Sequence, residues 1–237
     1  MVRVLREWQC DGAPIQLHPG DVGWYWRFGA EATAAAVRAW SRDGQILAVG
    51  LLDGPGLLRL AIAPEAGDDE ELAQQMLADV TRPEHGVLPQ GHASVEARFG
   101  SSFRRLLSAA GWDAGEPWTP LERDLAEPVE DCGVRIEVTG PDQAHARAAV
   151  QRAAFDRSTF TEERWHAMVS GVPYADAPCL VAYFGTAITV AAAAALRELG
   201  SSSATVCTPS ANVGAVAAYR SAGFQQLSDV PDLRRRE

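Results

Sequence analysis

Lysine is absent from this chain, and all 21 basic positions are arginine. Against 31 acidic residues they leave a formal net charge of −10. That balance excludes a nucleic-acid binder working through a broad basic field, and by steering it mildly favours cationic partners. Cysteine is scarce, with four residues and no Cys-x-x-Cys pair, so neither a zinc ribbon nor a disulfide framework is signalled and reduced, packed thiols are expected. No apolar run is long enough to span a bilayer: the longest small-apolar stretch, 187–196, is short and contains Thr189. Nor does the first stretch of sequence hold the apolar centre of a secretory signal. A cytoplasmic protein without membrane or nucleic-acid partners is the expectation, as a monomer or homodimer. The five histidines have no ligand spacing, so no metal is expected, and no Gly-x-Ser-x-Gly, His-Glu-x-x-His or P-loop string occurs.

What is present is 47% hydrophobic and 22% charged over 237 residues, the composition of a folded protein with room for two ordinary domains. Short β-like runs alternate with helical periodicity. Strands are expected at 34–41, 45–52 and 57–64, the last two joined as a hairpin through Asp53-Gly54-Pro55-Gly56. The acidic run Gly67-Asp68-Asp69-Glu70-Glu71 opens a helix, where first-turn acids suit the helix dipole. A strand at 92–99, a helix at 102–112 and a strand near 118–123 follow. The charged stretch 121–133, with Pro128, marks the boundary between domains 1–128 and 129–237. Beyond it come a strand at 134–139, helices at 141–155 and 161–171, a strand at 179–183, a helix at 185–200, a strand at 204–210 and a helix at 212–224. Arg234-Arg235-Arg236 reads as a solvated tail.

The halves match one another. The run from strand 92–99 to Gly111 aligns with the run from strand 204–210 to Gly223, which indicates a tandem duplication. In the second copy the segment holds Asn212, Ala215, Tyr219, Gly223 and Phe224. Asn212 fits a helix N-cap and Tyr219 fits a core aromatic on an Ala-rich helix. The whole pattern, however, resembles the last strand–helix–strand of the GNAT-type acyl-CoA N-acyltransferases.

That resemblance implies an α+β fold: two GNAT-like units in tandem, each a mixed, mostly antiparallel sheet flanked by helices. It implies acetyl-CoA as co-substrate, with Tyr219 as general acid toward the departing thiolate and Asn212 and Ala215 beside the cofactor. The family's cofactor helix follows a pyrophosphate loop, of which Phe184, Gly185 and Thr186 look like the remnant; a helix N-terminus holds phosphate through free N–H groups and the dipole. In the first copy Leu107 stands where Tyr219 stands, and the loop is acidic, so that half is expected to be degenerate. Glu162 or Glu163 is a candidate amine-deprotonating base, although acids also suit a first helical turn.

The second copy departs from the family in one respect. Residues 41–69 of the first copy carry a two-strand hairpin, whereas Tyr183 closes almost directly onto the helix at Gly185. The second unit thus lacks its β3–β4 segment, through deletion from the protein or omission from the sequence. The absence of a βα turn of ordinary length favours omission. Two functions stay open: an N-acetyltransferase acting on a small primary amine by direct transfer in a ternary complex, or a catalytically silent GNAT-like protein that binds CoA or a protein partner.

Overall fold

A computed structural model describes residues 1–131, 133–155, 158–175, 177–182 and 187–236. The chain forms two compact units: Met1–Val22 with Glu31–Trp118 and the segment from Asp229, and Gly23–Ala30 with Thr119–Ser228.

The first unit begins in helices α1 (Val2–Glu7), α2 (Pro19–Tyr25, which runs on into the second unit) and α3 (Ala30–Ala36). The sequence before residue 34 has no clear helical or strand period. Strands β1 (Val37–Arg42), β2 (Gln45–Leu52) and β3 (Leu57–Ile62) follow. The strand expected from residue 34 starts at Val37, because the preceding alanines close α3 first. The expected hairpin forms: β2 and β3 pair antiparallel, with Val49 opposite Ala61. Helix α4 (Glu70–Thr81) then crosses to β4 (Ala93–Glu96), which lies parallel to β3. Helix α5 (Ser101–Ala109) leads into β5 (Asp113–Asp124).

The core forms on the face of this sheet that α4 and α5 cover. Leu72, Met76 and Val80 sit at helical spacing on one face of α4 and are buried. With Phe103 and Leu107 of α5 they pack against Leu58, Leu60, Ile62 and Val95. Each fully buried side chain of this size contributes about 1.5–3 kcal/mol of apolar transfer.

The second unit holds the rest of β5, then β6 (Ile136–Val138), α6 (Ala144–Ala154), α7 (Glu162–Val169), β7 (Leu180–Ala182), α8 (Ala187–Glu198), β8 (Ser203–Pro209), α9 (Val213–Ser221) and β9 (Gln225–Gln226). Leu121 and Glu122 of β5 pair with Gln226 and Gln225, and β8 adjoins β5 in the strand order. Strands β6 and β7 pair apart, as a separate two-stranded sheet. Residues 183–186, between β7 and α8, lie outside the described residues. Thr161 caps α7, its hydroxyl accepting the Arg164 N–H at 3.3 Å. Trp165, Met168, Phe160, Ala144 and Ala148 make a core for α6 and α7.

The C-terminal segment corrects the solvated-tail reading. Strand β10 (Val230–Arg235) returns to the first unit and lies between β4 and β5, antiparallel to both. Leu233 joins that unit's core. The Arg235 guanidinium donates to the carbonyls of Gly91 at 2.8 Å, Val80 at 3.2 Å and Pro89, so it works as a bracket, not a tail. Of the three terminal arginines, Arg236 is the exposed one.

β10 also buries Asp232 beside Glu96 and Arg98. Arg98 Nη2 stands 3.6 Å from Glu96 Oε2 and 3.7 Å from Asp232 Oδ1, and Arg59 Nη1 stands 3.3 Å from Glu96. Burial pushes the carboxyls of both Glu96 and Asp232 above the usual range, against the opposing pull of the arginines.

Candidate active site

The segment that carried the sequence pattern is a strand–turn–helix in the second unit. β8 ends at Pro209, and the Asn212 N–H donates to the Pro209 carbonyl at 2.8 Å. The Ser210 hydroxyl is fixed by the Thr119 hydroxyl at 2.8 Å. Asn212 is the N-cap of α9, its Oδ1 accepting the Ala215 N–H at 3.1 Å. Ala215 therefore spends its N–H on the cap, and the free end of the exposed Asn212 side chain is its amide nitrogen.

The other end of α9 is closed by Gly223, whose φ of +84° is the left-handed geometry that favours glycine at this position. The Gly223 and Phe224 N–H groups donate back to Arg220 and Tyr219 carbonyls at 3.1 Å each. Arg123 Nη1 donates to the Ala222 carbonyl at 2.6 Å, a cation at the negative end of the helix. A Cβ on residue 223 would come within 3.2 Å of that guanidinium.

Tyr219 lies between these ends. Its ring meets Phe224 edge-on at 5.9 Å and packs against Leu121, Leu125, Ala193, Ala204 and Ala222. Among the described residues its hydroxyl has no hydrogen-bond partner. The ring is held by apolar contact. Of the sequence-derived site residues, the structure places Asn212, Ala215 and Tyr219 on one helix; Phe184, Gly185 and Thr186 lie outside the described residues.

The corresponding end of α4 in the first unit is occupied by its own acids. Asp69 caps the helix through the Leu72 N–H at 2.9 Å and receives both Arg42 Nη groups at 2.7 and 3.1 Å. The Arg42 guanidinium holds the Asp69 carboxyl down to about 2. Glu70 is likewise held below the usual range by Arg105, with Ser102 adding a hydrogen bond at 2.8 Å. Leu107, aligned with Tyr219, is wholly buried in the first unit's core.

Glu162 pairs with His145 at 2.7 Å, and the Thr161 hydroxyl holds the Glu163 carboxyl below its ordinary value, which makes it a weaker base. Among the described residues no three His, Cys, Asp or Glu side chains gather as metal ligands, and no helix is long and apolar enough to cross a membrane. The sequence reading passed over an arginine- and aromatic-lined cavity in the same unit, formed by Arg27, Arg147, Arg164 and neighbouring rings. Its residues come from separated segments and make no linear motif.

The mixed, mostly antiparallel sheet with flanking helices is the fold of the GCN5-related N-acetyltransferases. A crystal structure of such an enzyme from Sphaerobacter thermophilus matches at TM-score 0.50 and 16% identity, over 94% of this chain and 95% of that one. At that identity the likeness is one of fold. A tandem GNAT protein from the clavulanic acid biosynthesis pathway matches at 0.49 and 13%, over 94% and 98%. A putative acetyltransferase from Pyrococcus horikoshii matches at 0.46 and 11%, over 97% and 91%. No family model and no curated protein matches the sequence.

Proposed function

We propose that this protein is an acetyl-CoA-dependent N-acetyltransferase whose working half is the second unit, Gly23–Ala30 with Thr119–Ser228, and whose first unit is a degenerate GNAT-like domain. The observation that carries the reading is Tyr219: a tyrosine at the family's general-acid position whose ring is fixed while its hydroxyl has no hydrogen bond among the described residues. The plugged, acidic end of α4 supports assigning the idle role to the first half.

In the proposed reaction a neutral primary amine attacks the thioester carbonyl carbon within a ternary complex. The C–N bond forms, the C–S bond breaks and the amine proton passes to solvent. The Tyr219 O–H donates its proton to the departing sulfur and is restored from solvent. Acetyl-CoA supplies the activated acyl group. Asn212 would meet it through its free amide N–H, and the Phe184, Gly185 and Thr186 backbone would take the pyrophosphate. The test is release of free CoA thiol from acetyl-CoA across a panel of small primary amines. Amine-dependent release supports the enzyme; CoA binding with no release for any amine supports the silent alternative.

A further inference from the structure

In the second unit a cavity of about 650 Å³ is lined by Trp24, Arg27 and Phe28, by Arg147 of α6 and by Phe155, Phe160 and Arg164. Among the described residues its charged lining residues are arginines, in a chain of net charge −10. Each guanidinium lies against a ring. Arg27 is 4.4 Å from the Trp24 centroid and 4.3 Å from that of Phe28, Arg164 is 5.3 Å from Phe28 and Arg147 5.9 Å from Phe160. Trp24 and Phe160 stack at 5.3 Å, so the aromatic floor is itself fixed.

Among the described residues Arg147 and Arg164 donate hydrogen bonds to uncharged groups. Arg147 donates to the Gln151 side-chain oxygen at 2.9 Å, and Arg164 to the Thr159 carbonyl at 2.9 Å and its hydroxyl at 2.6 Å. Among the described residues neither Arg147 nor Arg164 forms an ion pair. Phe28 and Phe155 remain 44% and 59% exposed at the same cavity. Positive charge in a concave site concentrates anions. A guanidinium resting on a ring still presents forked N–H donors that match carboxylate or phosphate oxygens, and the exposed rings offer a flat apolar body a surface to cover.

We propose that this cavity binds a small planar organic anion, an aromatic ring bearing a carboxylate or a phosphate. The assignment rests on the cavity alone and not on acyl transfer. It is tested with the full chain and no acetyl-CoA, by calorimetry and Trp24 fluorescence during titration with benzoate, phenyl phosphate and the neutral benzamide. At least one anion is expected to bind about tenfold or more tightly than benzamide, with affinity falling as salt rises. Benzoate ahead assigns a carboxylate, and phenyl phosphate ahead a phosphate ester. Arg147→Gln and Arg164→Gln are each expected to weaken the anion about tenfold, and Tyr219→Phe to leave it unchanged. Arg147→Lys keeps the charge but loses the fork, and replaces the Gln variants if those fail to fold; it is expected to bind the anion more weakly than the parent. Benzamide binding as tightly as both anions, or anion affinity untouched in the folded arginine variants, overturns the proposal.

Discussion

Replacing Tyr219 by Phe removes one oxygen atom, and the two consequences separate cleanly. The ring keeps its edge-on contact with Phe224 and its place among Leu121, Leu125 and Ala222. The hydroxyl has no partner among the described residues, so no hydrogen bond is lost and no buried group is orphaned. Stability should change by no more than about 0.5 kcal/mol, a melting shift of about 1–2 °C for a chain of this size. Turnover should behave differently. A positioned general acid contributes about 10²- to 10⁴-fold, so its loss raises the barrier by about 2.7–5.5 kcal/mol. The assay follows CoA thiol release at saturating amine, beside a thermal melt and the KM for acetyl-CoA. The expected result is a hundredfold or greater fall in kcat, a steady KM and an unmoved melt. An unchanged kcat refutes the role of Tyr219. A melt lowered by several degrees refutes the argument that its hydroxyl is structurally idle.

Asp69→Ala removes the α4 cap and the Arg42 ion pair and should cost about 1 kcal/mol in urea melts at neutral pH. Because the folded carboxyl is held down to about 2, its contribution is present above the usual carboxylate range and disappears as pH falls through about 2. The gap between variant and parent should close there, and a gap constant with pH would contradict the assignment. Glu96 has the opposite sign. Burial raises its pKa in the folded state, so its contribution is full below the usual carboxylate range and declines as pH rises through the raised value. Glu96→Gln should flatten that part of the melting-temperature profile, and an unaltered slope would show that the carboxyl is not responsible. Intact mass addresses the missing hairpin. The sequence weighs 25.4 kDa, and an omitted segment of about 30 residues would add roughly 3 kDa. A mass of 25.4 kDa would establish a true deletion and lead us to expect little acetyl transfer.

Local punctuation made much of the fold legible. Gly54-Pro55-Gly56 separates two apolar runs that do pair as a hairpin, and the acids before Leu72 do begin α4. Asn212 and Gly223 delimit α9 within a residue or two, because a cap amide and a left-handed glycine are local requirements. The helices before Val37 escaped notice because three tryptophans and scattered glycines obscure a 3.6-residue period. β10 was hidden for a different reason. Pro231, Asp232 and three arginines have the composition of a tail, and only long-range pairing with β4 and β5 makes a strand of them. Candidate chemistry followed the same division: Tyr219 sits in a linear pattern, whereas Arg147 and Arg164 share a cavity that no single stretch of sequence displays.

β10 also sets the order of events in biogenesis. The ribosome makes Asp113 and the strands before it long before Val230. Until then β4 and β5 await the strand that lies between them, so the emerging first unit carries two unsatisfied strand edges while the whole second unit is being synthesised. Completion of the first unit waits on contacts of very large sequence separation, which makes its last step slow relative to local folding and leaves a long window in which another chain's strand could occupy the slot. A nascent chain stalled just before Asp229 should therefore be the species on which chaperones dwell.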